Sequence, residues 1–153
     1  MSILGNLAKS FFDNVLRDCV YPVKGSVVYC DLAFGSAEHS GIYIGNNEIV
    51  HLDGSGNVEI VDPKEFLSRL DGFNLAISIY VSCDGSSAVG GDIIAERAKK
   101  MVGEKRDYNL IFDNCHQFTS GCIMGNFENS DNFLWMLKDT AEKEINANTW
   151  RVW

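Results

Sequence analysis

An α+β domain, with a small antiparallel sheet packed on one central helix and further helices at both termini, is what three features of this sequence predict. Short runs of alternating apolar residues, separated by turn residues, follow one another from Ser26 to Val61. A polar turn at Asp113-Asn114 runs straight into the apolar-periodic segment that begins at Cys115. The chain has 153 residues, 46% of them hydrophobic, enough to bury a sizeable core in a single unit.

Met1 to Cys19 carries Ile3, Leu4, Leu7, Phe11, Phe12, Val15 and Leu16 at spacings of three and four, the pattern of an amphipathic helix. Asn6, Lys9, Asp13 and Asn14 interrupt the apolar positions and no small-residue cleavage site follows, so it does not read as a secretion signal. Pro22 closes this element, which gives a first segment of residues 1–22 expected to pack on the domain. Lys24-Gly25 turns the chain into a strand over Ser26–Leu32, and Phe34 to Glu38 reads as a flexible wall of a cleft. His39 to Leu52 is a β-hairpin, because Ile42, Ile44, Val50 and Leu52 alternate with Gly41, Tyr43, Ile49 and His51 around Gly45-Asn46-Asn47.

Asp53 to Asn57 is a plain turn, since it lacks the alternating acidic residues and terminal Glu of a calcium loop, and Val58–Val61 is a further strand. Asp62-Pro63-Lys64-Glu65 starts a short helix, with a cap, proline at the first position and Glu three after the cap, ending near Leu70. Leu75 to Ser82 is another strand, with Ile77, Ile79 and Val81 on one side. Cys83 to Gly91, rich in Gly and Ser, is expected to be a mobile loop bordering the site entrance. A helix over Asp92–Val102 stops at Gly103, and Tyr108 to Phe112 leads into the cysteine turn. Residues 23–125 thus make the central domain and 126–153 a C-terminal helix, capped by Ser130 or Asp131, with a tail packed on it. Phe133 to Leu137 is far short of the ~20 apolar residues that span a bilayer, so no transmembrane anchor is expected. The aromatics of Trp150-Arg151-Val152-Trp153 either pack back on the core or touch a partner or lipid surface.

A net charge of −8 argues against nucleic acid as a partner and against a polybasic grip on anionic membrane. Cysteines at 19, 30, 83, 115 and 122 are odd in number and form no CxxC pair, which suggests free thiols in a reducing, cytoplasmic setting with no zinc site and no cofactor.

The candidate chemistry centres on Cys115. Asp113 or Asn114 can cap the helix, placing Cys115 in the first turn, where orphan N–H donors and the positive dipole end favour a thiolate. Cys115 should then be alkylated ahead of the other four thiols. The plainer alternative makes it one small residue on a buried helix face. Two histidines decide between these, and hairpin parity governs them. With a two-residue Asn-Asn loop, position 51 pairs with 42 and the histidines fall on opposite faces. With a three-residue loop, 51 pairs with 41, His39 becomes the diagonal neighbour of His51 at about 7–8 Å between Cα atoms, and the pair can serve as a base and its orienter on the polar side of the hairpin. His116 follows Cys115 directly and is the fallback base, though the helix turns it away by about 100°.

The hairpin His39-Ser40-Gly41-Ile42-Tyr43-Ile44-Gly45 with Val50-His51-Leu52, and the later Asn114-Cys115 with Phe118, resemble the lecithin retinol acyltransferase-like group, including the small phospholipase/acyltransferases. That group lies within the circularly permuted NlpC-type papain-like enzymes, and the resemblance runs from about Val23 to about Met124. It implies a permuted papain-like fold, since both histidines precede the cysteine. It also implies roles: Cys115 as nucleophile, His39 as general base and His51 as third polar residue. This chain has His116-Gln117 where the family has Glu-His, which makes His116, Gln117 and Tyr43 candidates for substrate specificity.

The expected function is thiol-dependent acyl transfer or hydrolysis on lipid esters. His39 deprotonates Cys115, N–H groups at the helix start around Asn114 and Cys115 hold the oxyanion, and His51 fixes the tautomer of His39. The alternatives are an NlpC-type cysteine peptidase or amidase, and a non-catalytic binding module on the same fold.

Overall fold

The computed structural model describes residues 19–31, 38–68, 78–107, 109 and 114–153. The helix expected over Met1 to Cys19 lies outside these residues except for its last residue. So do most of the Phe34 to Glu38 wall, the start of the strand at Leu75 and the approach to the cysteine turn, including Asp113.

Among the described residues, seven strands and four helices give an α+β fold in which all strand pairings are antiparallel. In chain order they are β1 (Val27–Asp31), β2 (Glu38–Gly45), β3 (Glu48–Leu52), β4 (Val58–Val61), α1 (Pro63–Ser68), β5 (Ile79–Asp84), β6 (Ser87–Ala88), α2 (Asp92–Met101), α3 (Cys115–Met124), α4 (Leu134–Ile145) and β7 (Thr149–Val152). The sheet runs β4-β3-β2-β1-β5-β6, and β7 adds on the other edge of β5. Among the described residues no helix is long and apolar enough to cross a membrane.

The two faces of the sheet are both covered. Val27, Tyr29, Ile42, Ile44, Val50, Leu52 and Val58 meet Ile94, Ala95 and Ala98 of α2, Phe118, Cys122 and Ile123 of α3, and Leu134, Leu137 and Ala141 of α4. This is the side that the aliphatic alternation of the hairpin predicts. The opposite face, expected to be polar, carries a second cluster of Val28, Cys30, Ile49, Val61, Ile79 and Val81 closed by Phe66 of α1. The capping box at its start is complete: Asp62 Oδ1 accepts from the Glu65 amide at 2.7 Å and Glu65 Oε2 accepts from the Asp62 amide at 3.0 Å.

Two expectations are corrected, and a third reading left open is decided. Cys83 to Gly91 is not a loose loop: it ends β5, turns, forms β6 and enters α2. A Cβ on Gly25 would fall 2.0 Å from the Gly91 carbonyl oxygen, so backbone packs on backbone there. This contact lies at the start of β1, whereas His39 pairs with Cys30 at its end, so the segment does not border that site. The C-terminal helix starts at Leu134 with Phe133 in the cap position and no side-chain cap; Asp131 instead accepts from the Thr140 hydroxyl. Of the terminal aromatics, Trp150 is a strand residue of β7 and Trp153 follows it directly. Trp150 stands edge-on to Tyr29 at 5.3 Å and Trp153 edge-on to Tyr43 at 5.3 Å, and β7 pairs with β5. Packing on the sheet is therefore what places them.

Candidate active site

Helix α3 begins with Asn114 in an extended conformation, its Oδ1 accepting from the amides of His116 at 2.9 Å and Gln117 at 3.1 Å. Asn114 Nδ2 donates to the Asn132 carbonyl at 2.7 Å, which ties the helix start to the segment leading into α4. Both ends of this carboxamide thus build the helix start. The amide of Cys115 itself remains at the first helical position.

Cys115 is only 3% exposed. Its Sγ lies 3.9 Å from the Glu38 carbonyl oxygen, so the sulfur rests against β2 at the residue before His39. Burial pushes the Cys115 thiol up, opposed by the amide and hydroxyl of Ser40 and by the amides of His116 and Cys115. Here the expectation of a thiolate made by the helix start is corrected: loss of water outweighs the donors at the cap, and the resting group is the thiol.

The histidines come together through a device that loop length alone does not reveal. The turn is the two-residue one, Asn46-Asn47, with both residues at positive φ (54° and 57°) and Gly45 paired with Glu48. An unbulged hairpin on that turn would place His39 and His51 on opposite faces. The register shifts between Tyr43 and Gly45, however, so that Ile44 is the extra residue of a bulge and Tyr43 pairs with Ile49, Ile42 with Val50. The bulge supplies the odd residue assigned from sequence to the loop. His39 Nε2 then stands 2.6 Å from His51 Nδ1, with the rings edge-on at 86°.

Both imidazoles are buried, His39 at 8% exposed and His51 at 0%. The ring of Phe66 covers them, its centroid 5.0 Å from that of His39 and 5.8 Å from that of His51. The two ring nitrogens of His51 face His39 and, at 3.4 Å, Glu59 Oε1 of β4.

His116 does not turn away from β2. Its Nδ1 is 2.9 Å from the Ser40 hydroxyl, which also meets the Thr119 hydroxyl at 3.0 Å, and Thr119 donates to the Cys115 carbonyl at 2.7 Å. One serine thus ties β2 to both His116 and Thr119 of α3. Burial pulls His116 down to about 4, so it is neutral near pH 7. Gln117 faces Asn129, exchanging hydrogen bonds with its backbone carbonyl and side-chain amide. Tyr43 lies towards the hairpin turn, where the Asn47 amide approaches its hydroxyl at 3.4 Å and Trp153 packs on its ring.

Sequence reasoning missed Ser40, Glu59, Phe66 and Thr119. Glu59 was accessible in principle, because β4 pairs it directly with His51. Thr119, four residues after Cys115, was visible as a same-face neighbour on the helix.

The family model described as lecithin retinol acyltransferase matches residues 21–128. Similar stretches occur in the genome polyproteins of avian encephalomyelitis virus strains L2Z, Van Reokel and Calnek vaccine, each 26% identical over 112 residues. The matched segment is 72% of this chain and 5% of each polyprotein, so the chain spans a small fraction of the length of these relatives.

Proposed function

This chain belongs to the lecithin retinol acyltransferase family, and on that premise we propose that it is a thiol-dependent acyltransferase or hydrolase acting on lipid esters through Cys115, His39 and His51. The observation that carries this reading is the 2.6 Å contact between the two imidazoles beside the strand on which the Cys115 sulfur rests. A thiol kept neutral by burial needs a base at the moment of attack, and His39, oriented by His51, is that base.

His39 takes the thiol proton as sulfur attacks the ester carbonyl carbon. The carbonyl electron pair moves onto oxygen, where the Cys115 amide donates to it. Collapse expels the alcohol, which leaves with the proton held on His39, and the acyl group stays on sulfur as a thioester. Water or an acceptor hydroxyl or amine, deprotonated by His39, then releases it. Because Asn114 is committed to the helix cap, its part is to hold Cys115 in position.

The order of the site, with both histidines ahead of the cysteine, supports a circularly permuted NlpC-type papain-like unit over residues 23–125. Contacts from Asn114 to Asn132 and from Gln117 to Asn129 support packing of 126–153 on that unit. His116 and Gln117 flank the nucleophile on α3 and are proposed to tune acyl preference, His116 through Ser40.

Incubation with mixed phospholipids should add an acyl mass to Cys115 that hydroxylamine removes, and Cys115→Ala should abolish the addition. Cleavage of a peptide amide with the same Cys115 and His39 dependence, without lipid acylation, would replace this reading with a peptidase. An intact protein that does neither would favour a binding module.

A further inference from the structure

Glu59 lies on β4 directly opposite His51, a cross-strand neighbour on the covered face of the sheet. Its Oε1 is 3.4 Å from His51 Nε2, an ion-pair separation, and its side chain is 32% exposed where that of His51 is 1%. We propose that Glu59 is a positioning residue of this site, which through His51 sets the tautomer that leaves His39 able to accept the Cys115 proton. The proposal rests on the thiol-acyl reading above.

A neutral imidazole carries one N–H and one lone pair, while a carboxylate only accepts. Glu59 therefore draws the His51 proton to Nε2 and leaves Nδ1 as the acceptor. The 2.6 Å contact then requires His39 to carry its proton on Nε2 and donate it to His51. His39 Nδ1 is left with the lone pair. With Glu59 replaced by a group that accepts and donates equally well, the reverse chain becomes available: His51 donates from Nδ1, His39 accepts at Nε2, and His39 Nδ1 carries a hydrogen that blocks thiol deprotonation. Once His39 has taken the proton, the Glu59 charge also stabilises the imidazolium through one intervening ring.

Among the described residues, Cys30 of β1 pairs with His39, Asp53 follows β3 with its charge felt by His51, and α1 presents the Phe66 ring; the Cys115 sulfur lies 3.9 Å from the backbone carbonyl of Glu38, the residue before His39. Asp53 accepts from the Ser55 and Asn57 amides and the Asn57 side chain within its own turn, and its charge also interacts with His51. Glu59 stands at ion-pair distance from His51 across the β3–β4 pair.

The test is the pH profile of Cys115 alkylation by iodoacetamide in the full chain, followed by site-resolved mass. Glu59→Gln is expected to slow Cys115 by roughly tenfold or more near neutral pH and to move the rising limb to higher pH, because the thiolate-imidazolium pair loses its distant carboxylate. Glu59→Ala should shift the limb in the same direction, and both variants should melt close to wild type. A wild-type rate and limb in Glu59→Gln, in a protein whose His39→Ala variant is slowed, would overturn the role of Glu59. A His39→Ala variant that alkylates like wild type would instead overturn the thiol-acyl reading beneath it.

Discussion

His39 Nε2 and His51 Nδ1 stand 2.6 Å apart across a hairpin whose turn has the wrong parity for the contact, and the bulge at Ile44 corrects it. Gly41 holds the arrangement from the other side. A Cβ there would meet the Val50 carbonyl oxygen at 2.8 Å, Ile49 Cγ2 at 2.9 Å and His51 Cβ at 3.2 Å. Gly41→Ala should therefore push β3 away from β2, costing about 1–3 kcal/mol of stability in a urea melt. His39-dependent alkylation of Cys115 should fall with it. Wild-type stability together with a wild-type Cys115 rate would show that the close approach is not needed.

Phe66 is 1% exposed and caps both imidazoles from a six-residue helix. Phe66→Ala should cost about 3–5 kcal/mol by cavity formation. It should also admit water to the histidine pair and lower the rate of thioester formation. Phe66→Leu, which refills most of the volume, should recover most of the stability in thermal melts. Equal losses in the two variants would point away from packing as the cause.

The five thiols should not react in the order that the helix-start rule alone implies. Cys19 is exposed and should label at the rate of an accessible thiol, whereas Cys115 is buried and should depend on His39. Cys30 is pushed up to about 12, by burial and then by the neighbouring Cys115 and Asp31, and burial raises Cys122 and Cys83 as well. These three should stay protected until the protein unfolds. Site-resolved labelling in which Cys30 or Cys122 reacts before Cys115 would return Cys115 to the status of an ordinary buried helix residue.

His116 gives the protein an acid-side weakness. Its folded value, about 4, lies below the 6.5 of an unconstrained imidazole, so the unfolded chain binds the proton more readily. Stability is fully present above about pH 6.5 and is lost as the pH falls towards 4, by an amount on the order of 3 kcal/mol for this group. His116→Gln should flatten that part of a stability profile measured by denaturant melts between pH 7 and pH 4. An unchanged slope in the variant would place the acid sensitivity elsewhere.

What the sequence determined by itself was local. Asn114 as cap, the Asp62-Glu65 capping box, positive φ at Asn46 and Asn47, the stop at Gly103 and the aliphatic face of the hairpin all follow from chemistry within a few residues along the chain. Tertiary structure decided the rest, because each remaining feature joins segments that local periodicity cannot relate. The bulge at Ile44 answers to pairing with β3, which local turn rules read as a matter of loop length. Phe66 turns a face expected to be polar into a buried one, and the pairing of β7 with β5 sets on the sheet two terminal tryptophans that the sequence left open to core, partner or lipid surface. Ser40 meets His116 across 76 residues of chain. Burial, finally, reverses the expected charge state of Cys115, since the water removed by β2 and its neighbours outweighs the donors that the helix start supplies.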